Sequence, residues 1–148
     1  YALALGRINE YASTKQKIAN AKVIKTEAEA AIRFNPKHAG AYHILGRWHG
    51  TIAGFNAFEK LMINTMFGGV PEGGSYDRAI ECFAKAAELE PDYMLHQYQL
   101  AESYHERENK NDDTYAKAWL RKAMLLPLKN DEDKNTLAKC KELLSKLK

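Results

Sequence analysis

The sequence predicts an all-α fold: a right-handed α-solenoid of about three helical hairpins, with one inserted helix and a C-terminal capping helix. Three observations predict it. The chain has 148 residues, 45% of them apolar and 28% charged, which suits one core and a single domain. Valine occurs only at Val23 and Val70, and nine Gly with four Pro leave few turn residues, a composition that speaks against β structure. The third observation is repetition. Leu5-Gly6-Arg7 returns as Leu45-Gly46-Arg47, and three alanine-bearing helix ends, Ala31 to Pro36, Ala86 to Pro91 and Ala123 to Pro127, each close on proline. Proline has no N–H to continue a helix and its ring meets the preceding turn, so each marks a stop followed by a new start.

Taken in order, the units are 1–36, 37–91 and 92–127, followed by a capping helix at 130–147. Their fixed points resemble those of the tetratricopeptide repeat, a helix-turn-helix unit that wants small residues where its helices touch. The first unit supplies Leu5, Gly6, Ala31 and Pro36. The middle unit places Tyr42, Leu45, Gly46 and His49 on its first helix and Ala79, Phe83, Ala86, Leu89 and Pro91 on and after its second, with Gly46 expected opposite Ala79. The third supplies Leu100, Ala101 and Tyr104, then Ala116, Leu120, Ala123 and Pro127. From the glycine to the closing proline a plain repeat takes about 24 residues. Gly46 to Pro91 takes 45, so the middle unit carries about 21 extra residues between Arg47 and Gly74. Phe55, Phe58, Leu61, Met62 and Met66 keep helical spacing there, which predicts an added helix with an aromatic and methionine face, closed by the glycine-rich run from Phe67 to Gly74. Ser75 is the expected N-cap of the next helix. After Pro127, acidic Asp131-Glu132-Asp133 precede Leu137, Cys140, Leu144 and Leu147, and Lys146 and Lys148 close the chain, an order that complements a helix dipole and suits a cap over the last apolar face.

Leu45-Gly46-Arg47-Trp48, the aromatic insert, the Phe67-Gly68-Gly69 turn with Pro71, and the helix from Ser75 to Pro91 together resemble the regulator of microtubule dynamics protein family. The likeness extends to a long helix near Lys17 to Phe34 and to Leu126-Pro127. It implies a non-enzymatic repeat protein, associated in animals with microtubules and organelle contact sites, with an N-terminal membrane segment in some members. A bacterial relative with the same repeat domain would carry the same residues.

Several functions are not expected. A net charge of +3 is too small to imply nucleic acid, which calls for a basic field on one face. No apolar run approaches the roughly 20 residues of a bilayer span. The chain opens on Tyr1 rather than methionine, so an upstream stretch is read as cut away, and localisation is not assigned. Cys82 and Cys140 stand far apart with no CxxC or CxxH neighbour and are expected to pack as small hydrophobes, not to act as nucleophiles. His38, His43, His49, His96 and His105 form no HxxxH pair, so no metal and no cofactor are expected. The run from Gly68 to Ser75 lacks the GK[ST] ending of a phosphate loop.

The remaining function is that of a non-enzymatic binding or scaffold module. Residues that a tetratricopeptide unit turns toward its concave groove correspond here to Leu3, Arg7 and Glu10, then His43, Arg47 and Gly50, then Tyr98, Glu102 and His105. Arg7 and Arg47 occupy equivalent positions of adjacent units. Either they offer guanidinium forks to a carboxylate or phosphate of a protein or peptide partner, or Arg47 pairs internally with Glu102. Repeat domains that clamp acidic chaperone tails use lysines, asparagines and an arginine where this chain has Leu3, Arg7, Ile44, Leu95 and Gln99, so that mode is not expected. The alternative is a lipid or other apolar ligand held by Phe55, Phe58, Met62 and Phe67.

Overall fold

The computed structural model describes residues 14–67 and 73–147, with side chains described from residue 20 onward except at 62, 63, 66 and 67. Seven helices fill these residues: α1 Thr14–Phe34, α2 Ala39–Ala53, α3 Ala57–Phe67, α4 Tyr76–Leu89, α5 Met94–Arg107, α6 Asp112–Met124 and α7 Asp131–Lys146. No strand occurs among the described residues, as the composition predicts. Leu5 and Gly6, the expected anchors of the first unit, lie outside the described residues.

Each helix except α3 packs mainly on its neighbour in the series α1, α2, α4, α5, α6, and α7 closes over α5 and α6. Side-chain pairs show that neighbours run antiparallel. Trp48 Nε1–H donates to the Ala21 carbonyl at 2.8 Å, while Leu45, one turn earlier on α2, meets Ala28, two turns later on α1. Gly46 meets Phe83, and Gly54, further along α2, meets Tyr76 at the start of α4. The extra residues of the middle stretch thus form α3 between two helices that pack directly on each other, and α3 itself makes at most marginal contact with other helices among the described residues.

Capping fixes the helix starts. The Ser75 Oγ accepts from the Arg78 N–H at 3.1 Å, as its position predicts, and Asn130 Oδ1 accepts from the Asp133 N–H at 2.9 Å ahead of the acidic first turn of α7. His38 caps α2 through Nδ1, an acceptor role the sequence does not announce. Just before Ser75 the glycines serve geometry. Gly73 has φ +89°, and a Cβ on Gly74 would lie 2.3 Å from Ile52 Cγ2, so the returning chain touches α2 where no side chain fits.

The core is built on close helix approach. Ala79, Ala86, Ala101, Ala116 and Ala123 are wholly buried, and between them Phe83, Leu100 and Leu120 fill the interhelical space. Gly46 lies against the Phe83 ring: a Cβ there would sit 2.9 Å from Phe83 Cε1. Helical periodicity places Gly46 on the packed face of α2 but is silent on the offset of α4 along it, so the Phe83 contact is not announced by the spacing. Cys140 and Leu143 anchor α7 to Met94, Tyr98 and Leu120, with Leu137, Leu144 and Leu147 packed around them.

One buried charge is offset by hydrogen bonds at the α5–α6 turn. Asp112, 1% exposed, accepts from Arg107 NH2 at 2.7 Å, from Arg107 Nε at 2.9 Å and from the Asn109 N–H at 2.8 Å, while Arg107 NH1 reaches Asp77 on α4 at 2.8 Å. The arginine holds the Asp112 carboxyl below the usual carboxylate range. The turn itself needs Glu108 at φ 60° and Asn111 at φ 70°, so these bonds compensate for backbone that side chains rarely adopt.

Packing of this kind can be tested by substitution. Gly46→Leu drives a side chain into the Phe83 ring and is expected to cost roughly 3 kcal/mol, whereas Gly50→Ala, whose Cβ meets nothing within 4 Å, is expected to leave stability unchanged or raise it by about 0.5 kcal/mol. Urea midpoints of the two variants, compared with the parent, check both. Asp112→Ala leaves Arg107 half-paired and the Asn109 N–H without its acceptor, and is expected to lower unfolding free energy by about 3 kcal/mol in the same assay. Because the Asp112 carboxyl is held low, the parent's advantage over this variant is present above the unfolded carboxylate range and shrinks as pH falls below it.

Candidate functional site

Helices α2 and α5 turn one face each toward an open cleft of about 360 Å³, with the start of α4 as its third wall. Arg47, Gly50 and Thr51 come from α2, Tyr76 and Phe83 from α4, and Glu102 and Glu106 from α5. Helical spacing puts them there: Arg47 and Gly50 are three apart and Glu102 and Glu106 four apart, so each pair shares a face. Arg47 is exposed, and among the described residues it makes no hydrogen bond or ion pair. Its expected alternative, pairing with Glu102, is not formed; instead Glu102 Oε2 accepts the Tyr98 hydroxyl at 2.7 Å. Burial, followed by the charges of Glu106, Glu102 and Glu108, pushes the Tyr76 phenol above its ordinary value.

The other groove positions go elsewhere. Leu3, Arg7 and Glu10 lie outside the described residues. Tyr98 is 8% exposed and packs into the α5–α7 core, so its ring offers no free flat surface and its hydroxyl orients Glu102. His105 pairs with Asp113 of α6 at 2.9 Å. His43 is half-buried against the Phe83 ring and turns to His96 on α5, Nδ1 to Nδ1 at 2.8 Å. Glu106 and Tyr76 line the cleft in addition to the positions expected from the sequence. Four-residue spacing from Glu102 is the available signal for the first, and nothing in the spacing signals the second.

The histidine pair ties α2 to α5. His96 Nε2–H donates to Glu90 Oε1 at 2.8 Å and its ring stacks on Tyr93. One proton lies between the two Nδ1 atoms, because two facing protons cannot occupy a 2.8 Å gap. Burial first, then the charges of His96 and Arg47, lowers the His43 imidazole to about 3. His49, buried beside Trp48, is lowered in the same direction, chiefly by burial.

Elsewhere, Phe58 and Leu61 on α3 are 68% and 63% exposed and Phe55 is half-buried, while the side chains of Met62 and Phe67 lie outside the described residues. A second depression, of about 410 Å³, opens between α1, α2 and α4 over Ile32, Leu45 and Cys82, and on its rim Arg78 already pairs with Glu81 at 3.3 Å. Burial pushes both thiols up to about 11, so neither Cys82 nor Cys140 supplies a thiolate at neutral pH. Among the described residues no group of three or more His, Cys, Asp or Glu is placed to hold a metal ion, and no helix is long and apolar enough to cross a membrane.

Residues 1–148 match the regulator of microtubule dynamics protein 1-3 family. The chain belongs to this family. It is 33% identical over 145 residues to regulator of microtubule dynamics protein 1 of Bos taurus, covering 97% of this chain and 44% of that protein. With the Mus musculus protein 1 the identity is 34% over 148 residues, covering 99% and 47%. Regulator of microtubule dynamics protein 2 of Mus musculus is 30% identical over 149 residues, covering 100% and 35%. The chain therefore spans less than half the length of these relatives.

Burial of His43 is expected to make the stability of this regulator of microtubule dynamics family chain pH-dependent. Folding holds His43 neutral down to about 3, whereas the unfolded imidazole takes a proton near pH ~6.5. Its contribution is therefore complete above about pH 6.5 and is lost progressively as pH falls below it, with His49 adding the same sign. Between about pH 7.5 and about pH 5 the urea midpoint is expected to fall less in His43→Phe than in the parent; an equal fall in both would show that His43 is not the group that resists protonation.

Proposed function

We propose that the chain is a non-catalytic binding module in which the helix pairs act as tetratricopeptide-like units and a protein or peptide segment lies in the cleft between α2, α4 and α5. The observation that carries this reading is the exposed Arg47 guanidinium, which lines the cleft and has no partner among the described residues. A guanidinium left in this state offers two parallel N–H donors to a carboxylate or phosphate of a bound segment. Arg7 and Glu10, at the equivalent positions of the first unit in the sequence, lie outside the described residues, while Glu102 lines the cleft and His105 stands beyond it on α5. His43 and Tyr98 shape the groove by holding α5 and Glu102 in place. The relatives are named as regulators of microtubule dynamics, which supports a protein partner that acts on microtubule dynamics.

A second reading rests on the exposed Phe58 and Leu61 of α3, which give a lipid or other apolar ligand a place to start, with Phe55, Met62 and Phe67 on the same stretch of chain. Native mass spectrometry of the purified chain separates the two readings: retained lipid that disappears in Phe58→Ser with Leu61→Ser supports the apolar ligand. For the cleft, Arg47→Glu is expected to abolish capture of peptides that carry an acidic residue from an immobilised array while circular dichroism stays helical. Capture by the parent is expected to weaken as salt rises from about 0.05 M to about 0.3 M, since the screening length shortens. Undiminished capture by Arg47→Glu would remove the cleft from consideration.

A further inference from the structure

We infer that the cleft selects a segment carrying two opposite charges, with a lysine or arginine side chain against Glu102 and Glu106 beside the acidic group that faces Arg47. This rests on the reading of the cleft as the binding surface and adds what that surface distinguishes.

The charge distribution points this way. Although the chain as a whole carries +3, the described charged residues lining the cleft are one arginine and two glutamates. A purely acidic segment seated on Arg47 would bring its remaining carboxylates against Glu102 and Glu106 on the opposite wall. Like charges in such a place repel, and a wrongly charged partner is rejected more strongly than a neutral one. Glu102 and Glu106 stand one turn apart on α5, so their carboxylates present side by side and repel each other until a cation lies between them. Glu106 has no hydrogen bond or ion pair among the described residues, and Glu102 is held only by the Tyr98 hydroxyl at one oxygen, which leaves its other oxygen for a partner. The Tyr76 phenol on the wall of the cleft is raised first by burial and then by the charges of Glu106, Glu102 and Glu108.

The shape of the floor agrees. A Cβ on Gly50 would meet nothing within 4 Å among the described residues, which leaves room there for an approaching backbone. Gln99 lines the same floor, and its amide can both donate to and accept from peptide groups of an extended segment. Arg47 on one wall and two carboxylates on the other thus set both the direction of the segment and the order of its charges, in the way a rigid, pre-formed site gains selectivity without ordering cost.

The test is selection of random peptides displayed on phage by the parent chain, by Glu106→Gln, by Glu102→Gln with Glu106→Gln, and by Arg47→Ala. Glutamine keeps the size of both side chains and the acceptor for Tyr98, and Glu106 is exposed, so Glu106→Gln provides a readout even where the double variant is destabilised. The parent is expected to enrich segments with one basic and one acidic residue at fixed spacing. The glutamine variants are expected to lose preference at the basic position by about tenfold while keeping the acidic one, and Arg47→Ala to do the reverse. Enrichment of acidic segments without a basic position would overturn this inference and leave the cleft reading standing, as would a basic preference that survives both glutamine variants. Selection of nothing by the parent, or of the same peptides by the parent and every variant, would overturn the cleft reading and this inference with it.

Discussion

Close approach of α2 to α4 at Gly46 is the contact on which the rest of the arrangement depends. With hydrogen in place of a side chain, the α2 backbone comes against the Phe83 ring, and Phe83 in turn carries His43 on one side and the Ala79, Ile80 and Leu100 cluster on the other. Buried alanines repeat the device at Ala101 and Ala116 between α5 and α6 and at Ala123 toward α7. Short interaxial distances leave no slack for a wrong register, because interiors this dense transmit a misplaced methylene to both neighbours. They also allow α2 and α4 to pair directly even though α3 and the glycine-rich connection intervene in the chain. The insertion is accommodated at the modest closure cost that a longer loop carries.

Charge is treated in two opposite ways. At the α5–α6 turn Asp112 is buried and both carboxylate oxygens are used, by Arg107 twice and by the Asn109 amide, so the ion pair holds a strained turn and links it to Asp77 of α4. In the cleft, Arg47, Glu102 and Glu106 face one another across open space without pairing among the described residues. The difference is geometric. Arg107 and Asp112 lie at the two ends of one short turn between consecutive helices, whereas Arg47 stands on α2 and the two glutamates on α5, on different walls of the cleft. Surface charges separated in this way remain available to a partner.

The polar cleft and the apolar face of α3 are separate surfaces with different chemistry. The cleft is lined by helices that pack on both sides and are locked by the His43–His96 bridge, so its walls are rigid. Helix α3 has little packing among the described residues to restrain it and leaves Phe58 and Leu61 in solvent. Pre-organisation favours the first for selective recognition of charge, and exposed apolar area favours the second for less specific association.

Legible in the residues alone were the all-α class, the proline-closed ends of α1, α4 and α6, the extra helix in the middle stretch and the acid-to-base order of α7. These depend on local rules: a missing N–H, a cap side chain, an apolar stripe every three or four residues. Which groove positions are free depended on packing between helices. Tyr98, Glu102 and His105 share a helix face by periodicity, yet Tyr98 enters the α7 contact, His105 turns to Asp113, and Glu102 alone reaches the cleft. His43 lies one turn from Arg47, but only the offset between α2 and α5 brings His96 within 2.8 Å of it and leaves Arg47 open. Periodicity sets the direction in which a side chain leaves its own helix; the partner it meets depends on the crossing and offset of another helix, which are fixed by contacts such as Gly46 on Phe83 that no local pattern records.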